Sequence, residues 1–483
     1  MVHFAPLINS GGLLERSLEN LFIVDCLRFL YLLPAARRCP DVHTSARDDG
    51  QGRSGGQRGL ASTGVPSASV AVVSHDQIVY QKAYGYAKLE SRIPAKPGMR
   101  YSIGSISKQF TAAAILLLAE DGKLSLDDPV SKFIPTLTRA NEVTIRMLLS
   151  HTSGYQDYWP QDYVPPFMLP PVSSEKILDL WARKPLDFDP GTQWQYSNTN
   201  FVIAGLIVEQ ASGMPLIQFL KTRIFVPAGM TSVMNIDESN LEQTDASGYL
   251  RYALGPLRPA PKEGKGWLFA MGELAMPAQD LAKWDVSVLK QNILKPESYR
   301  AMEKDTLRKD GMATRYGLGI FVMPISGHRS FEHTGETSGF TAENIVLPDD
   351  HAAVVVLVNQ DSVDAGGQIA RKIAPLLFTE AKTDSAKIER DKGILLGLQE
   401  GVIDRTLFTT NANAYFSEVA IGDFKSSLGA LGKLTGFTLE GQNDRGGMRF
   451  REYSAKFEKK SVDLWTREMP DGKLEQYEVL PDE

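Results

Sequence analysis

Apolar residues recur at strand-like spacing at both ends of residues 64–377 and at helical spacing between them. At the start, Ser67–Val73 and Gln77–Tyr86 are β-rich runs separated by a polar turn at His75 and Asp76, a pattern that predicts a hairpin. Ser105–Glu120 carries apolar residues at helical spacing, which predicts a largely buried helix. The other predicted helices are Thr144–Leu149, Ser174–Arg183, Asn200–Gln210, Pro215–Phe225, Ala278–Lys290 and Ile369–Leu377, and the later strands are Tyr316–Met323, Ser330–His333, Gly339–Leu347 and Ala352–Val358.

This order of elements predicts an α+β domain. Strands begin and end the unit, and helices are inserted between them. Because elements with one apolar face must bury it in a shared core, the expected arrangement is one antiparallel sheet flanked by helices and assembled from both ends of the domain, with a helical subdomain beside it.

The segments on either side of this domain have a different composition. Arg37–Gly59 is rich in Arg, Gly, Asp and Ser, and Leu21–Ala36 is an apolar run broken by Asp25 and Arg28. The first composition is typical of disorder, and the second fits neither a transmembrane helix nor a signal peptide well. Residues 1–63 are therefore predicted to be a disordered or mis-assigned N-terminal segment.

A charged stretch, Glu380–Lys392, marks the predicted boundary between a domain at 64–383 and a small α+β domain at 384–483. The C-terminal part begins with helical spacing and continues with alternating runs separated by Gly-containing turns. Its predicted helices are Ile394–Val402 and Ala412–Leu431, and its predicted strands are Phe437–Gly441, Met448–Phe457, Val462–Arg467 and Gln476–Leu480.

Composition excludes several functional classes. The chain has 483 residues, is 43% hydrophobic, and carries 52 Lys and Arg against 58 Asp and Glu, a net charge of -6. Without a basic excess, nucleic acid is not an expected partner. The two cysteines, Cys26 and Cys39, both precede the predicted domain and exclude a disulfide framework or a cysteine metal cluster within it. Neither a metal nor a cofactor is expected.

The candidate chemistry begins with a Ser-x-x-Lys motif at Ser105 and Lys108. At this spacing both side chains share one helical face, so the lysine amine can reach the serine hydroxyl and take its proton if burial lowers its pKa. The motif alone is weak, because it recurs at Ser173/Lys176 and Ser287/Lys290. Only the pair at Ser105 opens an apolar helix, and even there a solvated lysine is the structural alternative.

Two further motifs follow in the chain. Tyr196-Ser197-Asn198 precedes a predicted helix, where the phenol can exchange a proton and the carboxamide can orient the lysine and a substrate amide. His333-Thr334-Gly335 ends a predicted strand, whose edge can offer the backbone N–H of Glu336 to an oxyanion hole together with the N–H of Ser105. The structural alternatives are a helix cap with a buried tyrosine, and a half-buried histidine.

The order of these three motifs resembles the serine β-lactamase and penicillin-binding fold, in the group of class C β-lactamases, DD-carboxypeptidases and family VIII esterases. The resemblance covers about Gly64 to Leu377. It is supported by the runs Gly64-Val65-Pro66, Leu148–Gly154, Asp280–Trp284, Gly339-Phe340, Leu347-Pro348 and Val358-Asn359. The resemblance implies the following roles: Ser105 is acylated, Lys108 and Tyr196 move protons, Asn198 positions the substrate, and the strand with His333, Thr334 and Gly335 flanks the acyl group.

Two departures from the family bear on the substrate. Class C β-lactamases carry Lys where this chain has His333, and Glu336 follows the glycine where small or hydroxyl residues are common. If its carboxylate points into the site, Glu336 repels an anionic substrate and favours uncharged esters. If it points into solvent, only its N–H matters, and some DD-carboxypeptidases of the group do carry His-Thr-Gly.

The sequence therefore predicts a serine acyl hydrolase whose substrate is a small ester, a β-lactam or a peptide. The alternatives of esterase, β-lactamase and D-Ala-D-Ala carboxypeptidase stay open, and so does a catalytically weak penicillin-binding-like module with a binding or regulatory role. The resemblance implies a periplasmic or other extracytoplasmic location, while the poor signal peptide leaves a cytoplasmic one open.

Overall fold

The computed structural model describes residues 64–159, 164, 166–378 and 382–481, so the predicted N-terminal segment at 1–63 lies outside the described residues. The chain divides into two compact units between Phe378 and Thr379. This division lies a few residues before position 383, and the helix that begins at Lys382 is part of the second unit.

The first unit is built on a seven-stranded antiparallel sheet. The strands of this unit are β1 (Ser67–Ser74), β2 (Gln77–Lys88), β3 (Ile93–Pro94), β4 (Tyr101–Ser102), β5 (Met234–Asn235), β6 (Tyr249–Arg251), β7 (Leu257–Pro259), β8 (Leu274–Met276), β9 (Phe321–Val322), β10 (Phe331–Thr337), β11 (Phe340–Leu347) and β12 (Ala352–Val358). The order in the sheet is β3-β2-β1-β12-β11-β10-β9. Strands from the start and the end of the unit therefore meet at its centre, where the Ser67 N–H donates to Asn359 Oδ1 (2.8 Å).

Helices cover both faces of this sheet. They are α1 (Ser107–Glu120), α2 (Ile145–Leu149), α3 (Ser174–Ile177), α4 (Asn198–Ser212), α5 (Leu216–Leu220), α6 (Ala278–Lys290), α7 (Pro296–Glu303) and α8 (Ala365–Ile373). Turns of π-helix follow α3 at Leu178–Ala182 and α5 at Lys221–Phe225.

The central strands are apolar on both faces, because each face is buried against helices. In β1, Val70 and Val72 pack with Ile369 on the α8 side, while Ala71 and Val73 belong to the larger core on the other side. A strand buried in this way reads as a continuous apolar run rather than an alternating one. The α+β fold with a sheet assembled from both ends of the domain is thus confirmed.

Two predicted strands differ from the structure. The segment Tyr316–Met323 forms only the short β9, because Gly319 adopts a left-handed conformation (φ 79°) and packs against the Lys108 carbonyl. The strand predicted at Ser330–His333 continues to Thr337, since β10 pairs with β11 up to its hairpin turn. His333, Thr334 and Gly335 therefore lie within a strand and not at its end.

The second unit contains a four-stranded antiparallel sheet in which each strand pairs with the next one along the chain. The helix predicted at Ala412–Leu431 is two helices, because Thr409 and Ser417 each cap a separate helix start. The elements are α9 (Lys382–Glu400), α10 (Thr410–Tyr415), α11 (Glu418–Gly429), β13 (Leu434–Arg445), β14 (Met448–Phe457), β15 (Ser461–Glu468) and β16 (Leu474–Pro481).

Across the described ranges, no single helix combines the length and apolar composition needed to cross a membrane. The bent pair Asn198–Ser212 and Leu216–Phe225 meets both criteria only when its two helices are joined.

Two glycines bring β10 against the turn that carries Ser105. A Cβ on Gly335 would lie 1.9 Å from the Ile103 carbonyl oxygen, and a Cβ on Gly104 would lie 2.6 Å from the Glu336 nitrogen. Gly104 also has a left-handed φ of 48°. Because no other residue fits at this separation, the glycines set the distance between the serine turn and the strand.

We expect Gly335→Ala to lower the free energy of unfolding by more than about 2 kcal/mol, because the added methyl group forces strand and turn apart. Urea unfolding followed by tryptophan fluorescence measures this change. Gly98→Ala is the matched control, since nothing lies within 4 Å of its Cβ position. Equal unfolding midpoints for Gly335→Ala and the native chain would contradict the packing argument.

Candidate active site

Ser105 and Lys108 are in direct contact at the start of α1. Lys108 Nζ donates to Ser105 Oγ (2.9 Å) and to the Met271 carbonyl (3.0 Å), and it lies 5.0 Å from the ring centre of Tyr196 and 5.6 Å from that of Phe201. The lysine side chain is fully buried. Burial lowers the pKa of Lys108 to about 7, against an opposing effect of Asp157. A lysine of this pKa can accept a proton at neutral pH.

Tyr196 also contacts the serine. Burial raises the pKa of its phenol above its ordinary value, against an opposing effect of a side-chain hydrogen bond with Ser105. His151 packs against the segment Tyr196-Ser197-Asn198. The centre of its ring lies 4.3 Å from that of Tyr196, and its Nδ1 accepts from the Ser197 N–H (3.2 Å). Ser105, Lys108 and Tyr196 thus form one hydrogen-bonded group.

Asn198 is joined to a carboxylate that sequence reasoning missed. Asp157 Oδ1 accepts from the N–H groups of Asn198 (2.9 Å) and Trp159 (3.2 Å), and Asp157 Oδ2 accepts from Asn198 Nδ2 (3.4 Å). Burial raises the pKa of Asp157. Asp157 belongs to no recognised motif, and its only sequence signal is its place just after the run that ends at Gly154.

His333 lies behind the pocket rather than in its wall. The ring is 1% exposed, with Nδ1 2.6 Å from the Thr334 carbonyl and Nε2 3.0 Å from the Tyr316 hydroxyl. A carbonyl only accepts, so Nδ1 carries the hydrogen and Nε2 accepts from Tyr316. Burial, helped by Lys108, lowers the pKa of His333 to about 3. His333 is therefore neutral and supplies no cation for a substrate carboxylate.

A cavity of about 610 Å³ opens over Ser105. Of the predicted site residues, Ser105, Tyr196, Asn198 and Glu336 line it, and Lys108 lies buried beside Ser105. His333, Thr334 and Gly335 are not among its lining residues, although their strand brings Glu336 there. The cavity also includes Asp157, Arg251 and Asp361, which no motif predicted.

The other two Ser-x-x-Lys pairs have structural roles. Ser173 Oγ caps α3 by accepting from the Lys176 N–H (3.2 Å), and Ser287 Oγ donates to the Lys283 carbonyl (3.0 Å). Neither serine lines the cavity. Within the described part of the chain, no cluster of three or more His, Cys, Asp or Glu residues is arranged to hold a metal ion.

Comparisons with known proteins agree with the motifs. The profile of the Beta-lactamase family matches residues 56–376. A penicillin-binding protein of Bacillus subtilis (strain 168) is 27% identical over 372 residues, 72% of this chain and 79% of that protein. A D-aminopeptidase of Brucella anthropi is 26% identical over 330 residues, 68% of this chain and 62% of that protein. The octameric penicillin-binding protein homologue of Pyrococcus abyssi has a similar fold, with a TM-score of 0.59, 24% identity, and coverage of 86% of this chain and 96% of that one.

The low pKa of Lys108 predicts a pH profile. If the neutral amine is the base, kcat/KM for a neutral ester rises as pH increases through about 7 and then levels off. Buried His151 and His333 have lowered pKa values and do not titrate in this range. The measurement is the pH dependence of 4-nitrophenyl butyrate hydrolysis. A profile with no rise near pH 7 would contradict this assignment.

Proposed function

Because the chain belongs to the Beta-lactamase family, we propose that it is a serine acyl hydrolase that forms an acyl-enzyme on Ser105 and hydrolyses small amides or esters. The observation that carries this proposal is the buried Lys108 amine, 2.9 Å from Ser105 Oγ and with a pKa near 7. The name of the D-aminopeptidase relative supports amide substrates for this chain as well.

In the acylation step, Ser105 Oγ attacks the substrate carbonyl carbon while its proton passes to Lys108 Nζ. The carbonyl π electrons move onto the oxygen to give a tetrahedral oxyanion, which then collapses and breaks the bond to the leaving group. The leaving nitrogen or oxygen takes a proton from the Tyr196 hydroxyl, which Lys108 restores. In the second step a water molecule attacks the acyl carbonyl carbon, and its proton passes through Tyr196 to Lys108. The bond to Ser105 Oγ then breaks, Lys108 returns a proton to this oxygen, and the acid and free Ser105 are released.

The oxyanion is proposed to lie between the N–H groups of Ser105 and Glu336. Gly104 and Gly335 hold the β10 backbone against the serine turn, which supports this placement. Backbone donors of this kind are already oriented before reaction, so they stabilise developing charge without reorganisation.

We expect a fluorophosphonate probe to add one equivalent of mass to the native chain and none to Ser105→Ala. Ser173→Ala and Ser287→Ala are the controls, because their hydroxyls bond to the backbone of their own helices and neither serine lines the cavity. Intact-protein mass spectrometry and hydrolysis of 4-nitrophenyl butyrate give the two readouts. An unlabelled native chain would favour the non-catalytic binding module, and equal loss in either control would refute the choice of Ser105.

Lys108→Ala and Tyr196→Phe are each expected to slow acylation by about 10²–10⁴-fold with little change in substrate affinity, since both side chains act on protons in transit. Single-turnover kinetics separates the acylation rate from binding. Acylation of Tyr196→Phe at the native rate would remove the phenol from the mechanism.

A further inference from the structure

The charged side chains that line the cavity over Ser105 are mostly acidic. Among its described lining residues, Asp157, Glu336 and Asp361 are carboxylic acids and Arg251 is the cation. Glu336 Oε1 accepts from the Ser362 N–H (2.8 Å), and Asp361 Oδ2 accepts from the Gly339 N–H (2.9 Å). Both carboxylates are therefore held at the β10 side of the cavity, where they repel an anion.

Asn198 adds an independent indication of what binds here. Its side chain is 6% exposed and lines the cavity, and in the described structure its Oδ1 has no hydrogen-bond partner. The amide orientation is fixed because Nδ2 donates to Asp157, and a carboxylate only accepts. A buried acceptor without a partner is costly, so a ligand N–H that reaches it is favoured.

We propose that the site selects substrates with a protonated amine on the carbon next to the scissile carbonyl, and that Asp157 Oδ2 and Asn198 Oδ1 receive this ammonium group. The inference rests on the proposed acyl-enzyme function and names its substrate class. Asp157 lines the same cavity as Ser105 and Tyr196, so an ammonium held by Asp157 lies in the cavity that contains the serine.

The same lining disfavours a carboxylate at this position. His333 is neutral, and like charges within about 4 to 6 Å of one another raise the cost of binding. Burial and the neighbouring Glu336 raise the pKa of Asp361 to about 6, which leaves this carboxyl largely ionised at pH 7. Arg251, on the hairpin strand β6, is the group that would oppose this selection.

The test uses three 4-nitroanilides that differ only in one group on the α-carbon. Alanine 4-nitroanilide, as both enantiomers, carries an ammonium, the isobutyric compound carries a methyl group of similar size, and the methylmalonic compound carries a carboxylate. At pH 7 we expect kcat/KM for at least one alanine enantiomer to exceed that of the isobutyric compound by about tenfold or more, with the carboxylate lowest. An isobutyric or methylmalonic compound that reacts equally well or better overturns the inference.

The ratio of kcat/KM for the alanine compound to kcat/KM for the isobutyric compound should fall by about tenfold or more in Asp157→Asn. This substitution removes the charge of the side chain and little of its volume. Glu297→Gln, an equal charge change at an exposed position of α7, should leave the ratio unchanged. If Asp157→Asn shows no cooperative thermal unfolding and is therefore not folded, Asp157→Ser is used for the same measurement. A ratio that survives removal of the Asp157 charge overturns the inference. If the protein hydrolyses 4-nitrophenyl butyrate and forms a Ser105 adduct but does not prefer the ammonium substrate, only the substrate class is overturned. If it shows neither the hydrolysis nor the adduct, the proposed function is overturned as well.

Discussion

Lys108 places an amine in the interior with none of its surface exposed to solvent, and the arrangement of the site depends on this burial. An ammonium group loses much of its hydration there, so the neutral amine is favoured. Two acceptors, Ser105 Oγ and the Met271 carbonyl, and the faces of two aromatic rings surround it. The apolar composition of α1 therefore serves two purposes, since it anchors the helix in the core and sets the basicity of the amine.

The buried and the exposed parts of the site differ in charge. His151 and His333 are buried like Lys108, and burial lowers the pKa values of both histidines. At the rim, Glu336 and Asp361 bring negative charge to the β10 edge. The mostly acidic rim allows the protein to choose among ligands by charge.

The sequence predicts most of the sheet and the group of candidate catalytic residues, because both leave local signals. Apolar spacing identifies the strands, and the Ser-x-x-Lys and Tyr-x-Asn motifs identify Ser105, Lys108, Tyr196 and Asn198, which the structure brings together at one cavity. Asp157 leaves no such signal, because its contact with Asn198 joins a loop to a helix 41 residues away.

Other features depend on three-dimensional packing that spacing alone does not encode. The direction of the His333 ring follows from its contacts with Tyr316 and the backbone rather than from its motif. The short β9 follows from Gly319, which packs against the Lys108 carbonyl instead of continuing a strand. In both cases a residue distant along the chain determines the local outcome.

The meeting of the two chain ends in the central sheet has a consequence for biosynthesis. Ser67 and Asn359 are hydrogen-bonded partners 292 residues apart, so one edge of β1 has no strand beside it until β12 leaves the ribosome. All eight residues of β1 are buried in the finished fold, and an apolar edge of this kind can pair with other chains while it waits. Contacts of such long range also slow folding. During translation this edge therefore stays open to pairing with other chains until β12 has been made, and aggregation competes with folding over that interval.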